Sequence, residues 1–101
     1  MDILEEAKQI VEGDRREAYG PVEESFKRHA MVWSAILQPK LKSPITPEEV
    51  TLMMVGLKLM REANSSKHDN RVDIIGYILL RDILCTTALQ KTGQTEIAAT
   101  P

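Results

Sequence analysis

The sequence predicts an all-α fold, a compact four-helix bundle completed by oligomerisation, and three observations carry that prediction. Apolar residues recur at helical spacing in four separate segments. Proline, glycine and capping residues punctuate those segments where helices start and stop. No run alternates apolar and polar residues in the way that marks a half-buried strand. A chain of 101 residues makes one domain with a small core. That domain is expected over residues 1–91, with a flexible C-terminal tail over 92–101.

The first helix is expected over residues 2 to about 13, where Ile3, Leu4, Ala7, Ile10 and Val11 share one stripe and Gly13 stands at the end. Residues 14 to 20 read as a charged connector closing on Tyr19-Gly20. Pro21 takes the favoured first position of a second helix, in which Val22, Phe26, His29, Ala30, Trp33, Ile36 and Leu37 follow at helical spacing. Pro39 and Pro44 bracket a loop. Thr46-Pro47-Glu48-Glu49 is a capping box with proline at the first helical position, and it opens a third helix running to about Ala63. The apolar stripe there is Val50, Met53, Met54, Leu57 and Met60. After the turn Asn64-Ser65-Ser66, a fourth helix is expected over about 69–91, ended by Gly93. Val72, Ile75, Leu79 and Ile83 form its stripe, which Gly76, Leu80 and Leu84 broaden. A face that wide needs cover on more than one side, so this helix is either central to the bundle or part of a subunit interface. A short chain with such a face is expected to be a homo-oligomer. The predicted core gathers Phe26, Trp33, Met53, Leu57, Ile75 and Leu79.

Composition excludes several classes of function. Thirteen basic residues against fifteen acidic ones leave a net charge of −2, with no basic stripe of the kind that generic nucleic-acid binding requires. Cys85 is the single cysteine, so no disulfide framework exists, and it falls in an apolar run where a buried thiol is expected. The acidic opening Met1-Asp2-Ile3-Leu4-Glu5-Glu6 is unlike a signal peptide. No segment is long and apolar enough to span a bilayer, and a cytoplasmic location is expected.

The stretch Lys67-His68-Asp69-Asn70-Arg71-Val72-Asp73-Ile74-Ile75-Gly76-Tyr77 is where chemistry is most legible. Asp69, Asn70 and Asp73 project from one side of a helical turn, although aspartate is a poor helix former and costly to bury alone. A bound cation or ligand explains the arrangement. So does capping, with Asp69 or Asn70 as the N-cap and Asp73 as a first-turn acid. Glu23 or Glu24, Glu62, Asp69 and Asp73 could supply oxygen ligands to magnesium, with phosphate and water completing the shell. Lys58 and Arg61, one turn apart, suit a phosphate; equally, they suit ion pairs with Glu62 and the last helix. His29 and His68 lack zinc-ligand spacing, His29 reading as a satisfied core histidine and His68 as exposed. Neither a phosphate-cradling glycine loop nor a serine or cysteine nucleophile motif is present.

Several words in order carry a family resemblance: Tyr19-Gly20, Glu23-Glu24-Ser25-Phe26, Trp33-Ser34-Ala35-Ile36-Leu37, Met53-Met54 leading to Leu57-Lys58-Leu59-Met60-Arg61, and Asp69-Asn70 with Val72-Asp73-Ile74-Ile75-Gly76-Tyr77. Over about residues 1 to 85 the chain resembles a small domain of unknown function found widely in bacteriophage genomes. That domain in turn resembles the MazG-like all-α nucleoside triphosphate pyrophosphohydrolases, whose Glu-x-x-Glu and Glu-x-x-Asp helices bind magnesium against a triphosphate. Here Asn70-x-x-Asp73 stands in place of Glu-x-x-Asp, and Lys27 stands where a glutamate would follow Glu24. The resemblance implies a MazG-like bundle in a phage protein acting in the infected host. Glu24, Asp69 and Asp73 would hold magnesium, Lys58 and Arg61 would hold phosphate, and Asn70 or Tyr77 would orient a nucleotide or cyclic nucleotide. An active protein would cleave a nucleoside triphosphate between its α and β phosphates. The alternative is a non-catalytic accessory protein that sequesters a host signalling nucleotide or inhibits a host defence protein.

Overall fold

The computed structural model describes residues 1–92, with side chains as far as residue 90. Its helices are α1 (Ile3–Gln9), α2 (Arg15–Tyr19), α3 (Val22–Leu37), α4 (Pro47–Asn64) and α5 (His68–Thr92). A π-helical turn (Ile10–Asp14) joins α1 to α2, and a 3-10 turn (Gln38–Lys40) follows α3. No strand occurs among the described residues, in agreement with the all-α expectation. The tail expected over 92–101 lies, apart from Thr92, outside the described residues.

Two helix starts carry side-chain caps, Pro21 is the N-cap of α3 and not its first residue, and among the expected stops there is one exception. Asp2 caps α1 by accepting the Glu5 N–H at 2.8 Å. At α4 both halves of the capping box form: Thr46 Oγ1 accepts the Glu49 N–H at 3.2 Å, and Glu49 Oε1 accepts the Thr46 N–H at 2.9 Å. The exception is Gly13. It does not end the first helix, because its backbone stays on the helical side of φ and the chain passes through the π-turn into α2. The charged connector is therefore helical, and the real stop is Gly20. With φ at +76° this glycine adopts a conformation that other residues rarely take, and its N–H bonds the Arg16 carbonyl at 2.8 Å.

α5 is the central helix. It pairs most extensively with α4 and also carries α1, the π-turn and part of α3. The core joins Val11, Phe26, Ala30, Val50, Leu80 and Leu84, with Trp33, Met54, Tyr77 and Leu79 partly buried against it. Two details of the predicted stripes change. On α5 the buried ridge is Val72, Gly76, Leu80 and Leu84, whereas Ile83 is exposed. On α4, Val50 is buried and Met54 and Leu57 half-buried, but Met53 and Met60 face solvent. Helical spacing fixes which residues share a face; the neighbour decides which face is covered, and α3 and α5 cover the Val50 side.

Candidate functional site

The site begins with the π-turn. The Arg15 N–H reaches back five residues to the Ile10 carbonyl, and the widened turn keeps residues four apart on one face of the chain. Ala7, Val11, Arg15 and Tyr19 thereby line one wall of a cavity whose opposite wall is α5. Its volume is about 220 Å³, and α5 contributes Val72, Asp73, Gly76, Tyr77 and Leu80. Ala7, Val11, Val72, Gly76 and Leu80 are buried, while Ile10, also in the lining, and Tyr19, half exposed, are open to solvent.

Arg15 is the distinctive group. Its guanidinium carbon lies 4.9 Å from the Tyr19 ring centre, 5.0 Å from that of Phe26 and 5.2 Å from that of Tyr77. Phe26 and Tyr77 meet edge to face at 6.4 Å, so α2, α3 and α5 each contribute one ring to a fixed box. Such contacts use the cation's charge and leave its in-plane N–H donors available. Arg15 takes no part in the ion pairs Lys58–Asp73, His68–Glu6 and Arg71–Glu62.

Asp73 lines the same cavity from α5. Its Oδ2 is bound at 2.8 Å by Lys58 Nζ, which crosses from α4 with only 14% of its side chain exposed. Lys58 is thus spent on a carboxylate. Arg61 is exposed and turns instead toward a shallow polar concavity at the α4–α5 turn, which it shares with Lys67 and Asn70.

The α4–α5 turn is organised by Glu62. Its carboxylate accepts the Lys67 N–H at 2.8 Å, the Arg71 guanidinium at 2.6 Å, the Ser66 hydroxyl at 2.9 Å and the Asn70 amide at 3.4 Å. The Lys67 N–H, followed by Arg71, pulls its pKa down from 4.5 to about 2. Glu62 caps α5 from the preceding helix. Helix α5 begins at His68, so neither Asp69 nor Asn70 is its N-cap. Asn70 is buried and donates to the Ser65 carbonyl at 3.3 Å, which makes it a turn residue away from the cavity. His68 is exposed, and its Nε2–H donates to Glu6 at 2.7 Å. His29 is satisfied within α3, donating from Nδ1 to the Ser25 carbonyl at 2.7 Å.

Of the residues singled out from the sequence, the structure brings Asp73 and Tyr77 together in the cavity wall, with Lys58 bound to Asp73. Glu24 is exposed on α3 and Asp69 is exposed in the first turn of α5. They do not converge with Asp73: among the described residues no three His, Cys, Asp or Glu side chains could hold a metal ion together. These residues do not fit a magnesium site of the expected composition. Arg15 and Tyr19 escaped the sequence reading because they fall in what looks like a connector. The signal that could have found them is the four-residue ladder Ile3, Ala7, Val11, Arg15, Tyr19, which runs straight through Gly13.

The fold and cavity define an all-helical domain with a recess between its N-terminal helical segment and its central helix. Residues 2–84 match the family described as Domain of unknown function (DUF6378), and the chain belongs to that family. It is 40% identical over 78 residues to the Gene 55 protein of Mycobacterium phage L5, an alignment covering 76% of this chain and 48% of that protein. It is 33% identical over 76 residues to the Gene 55 protein of Mycobacterium phage D29, covering 74% and 48% respectively. The chain thus spans about half the length of these phage relatives. No solved structure matches it significantly. No helix among the described residues is long and apolar enough to cross a membrane.

Proposed function

We propose that this domain binds a nucleotide or nucleotide-derived ligand in the cavity between the π-turn and α5, as a phage protein with a MazG-like helical cleft. The observation that carries the reading is Arg15, a guanidinium held by three aromatic rings at a cavity wall and in no ion pair among the described residues. An arginine fixed in that way presents two parallel N–H donors to a phosphate without first giving up an ion pair. The cavity is smaller than the range of about 300–1,000 Å³ usual for drug-sized ligands, so it suits a base, with sugar and phosphate at the rim beside Arg15.

Binding without turnover is the form of the proposal favoured here, since Asp73 is engaged by Lys58 while Glu24 and Asp69 stand apart from it. A magnesium-dependent pyrophosphohydrolase would release pyrophosphate from nucleoside triphosphates. Assaying that release with and without magnesium, beside a thermal-shift screen of nucleotides and cyclic nucleotides, separates the two forms. A ligand that binds the native state must raise the melting temperature. Raised melting temperatures without pyrophosphate release support sequestration; release that depends on magnesium moves the assignment to catalysis. If no nucleotide raises the melting temperature, the reading fails.

A second reading rests on a different observation. Met31, Val32 and Ile36 on α3 and Leu52, Met53, Leu59 and Met60 on α4 are exposed, and apolar surface of this kind marks interfaces. It suits a homo-oligomer first, and inhibition of a host protein second.

A further inference from the structure

We propose that Asp73 makes the cavity selective for a guanine base, an inference that rests on the nucleotide reading above. The wall chemistry is asymmetric. Arg15 offers only donors, and the Tyr19 and Tyr77 hydroxyls both donate and accept. Asp73 alone among the charged lining groups is an acceptor, and Lys58 holds its Oδ2 at 2.8 Å. Among the described residues no donor engages its Oδ1. The lysine fixes the carboxyl group through Oδ2, and Oδ1 remains available to a ligand at the cavity wall, with a third of the side chain exposed.

A ligand that fills this space must bring N–H donors to Asp73 and an anion to Arg15. Guanine carries N1–H and the N2 amino group side by side on one edge, a donor pair that matches a carboxylate. Adenine and cytosine offer one exocyclic amino group beside an acceptor nitrogen. Uracil and thymine offer a single N–H flanked by two carbonyl oxygens, which a carboxylate repels. A base that brings no donor to the free Asp73 oxygen forfeits a charge-assisted hydrogen bond and binds more weakly. The ranking is therefore guanine first and uracil or thymine last.

The test measures dissociation constants of guanosine, inosine and uridine monophosphates for the unaltered protein by titration calorimetry. Inosine monophosphate differs from the guanine nucleotide only in lacking the N2 amino group. The expected result is guanosine binding about tenfold or more tighter than inosine, and uridine weakest, since one lost charge-assisted hydrogen bond is worth about a factor of ten. In Asp73→Asn the amide presents donors to the same edge, so guanosine monophosphate should lose affinity and xanthosine monophosphate, which replaces the amino group with a carbonyl, should gain it. Equal binding of guanosine and inosine monophosphates overturns the guanine assignment while leaving nucleotide binding in place, as does an Asp73→Asn protein with unchanged preferences. Binding of no nucleotide overturns both. Should circular dichroism find Asp73→Asn unfolded, the guanosine-to-inosine ratio of the unaltered protein decides.

Discussion

Two ion-paired carboxylates set most of the residue-scale behaviour. Glu62 is held near pKa 2 by the Lys67 N–H and Arg71, below its ordinary 4.5. A carboxylate depressed in the folded state adds stability that is present in full above its unfolded pKa and is lost as pH falls through the folded one. Stability should therefore decline between pH 4.5 and about 2, and Glu62→Gln should flatten that decline while lowering stability at neutral pH. Denaturant melts at a series of pH values check this; an unchanged acid slope in the variant contradicts it. Asp73 differs in that its partner is the half-buried Lys58. Asp73→Asn leaves that ammonium without its counter-charge and should cost about 1–3 kcal/mol, measurable as a lower denaturation midpoint. Asp73, Tyr77 and Lys58 were legible in the sequence, because helical spacing alone brings the first two onto adjoining turns of one helix. Arg15 was not, for its partners Phe26 and Tyr77 arrive from distant parts of the chain.

Two glycines separate the sequence reading from the structure at the scale of elements. At Gly13 the sequence points to a helix end, yet the residue sits inside the π-turn at helical φ, with open space where a Cβ would go. Gly13→Ala should therefore stabilise the protein by about 0.5–1 kcal/mol through reduced backbone entropy. Gly20, at φ +76°, should respond in the opposite sense, with Gly20→Ala costing about 1–2 kcal/mol. Thermal or denaturant melts of the two variants read both signs, and a destabilised Gly13→Ala would restore the helix end to that position. The capping box at α4 was legible because both of its bonds are local, within four residues. The cap of α5 was not, since Glu62 supplies it from the preceding helix.

At the scale of the whole molecule, helical periodicity was enough to give the fold class and left α5 either central or in a subunit interface; it did not give the cavity, which needs α1, the π-turn and α2 on one side and α5 on the other. The apolar side chains exposed on α3 and α4 lead to a further expectation: light scattering at micromolar concentration should give a multiple of the monomer mass, and a monomer there would contradict it. The central claim is that an arginine held by aromatic rings makes this cavity a nucleotide site. Its most direct test is calorimetric titration of guanosine monophosphate into the unaltered protein and into Arg15→Ala, with folding of both checked by circular dichroism. The account predicts saturable binding to the unaltered protein, weakened about tenfold or more in Arg15→Ala by loss of the charge-assisted contacts to phosphate. Equal affinity in the two proteins, or no binding of any nucleotide to the unaltered one, would contradict it.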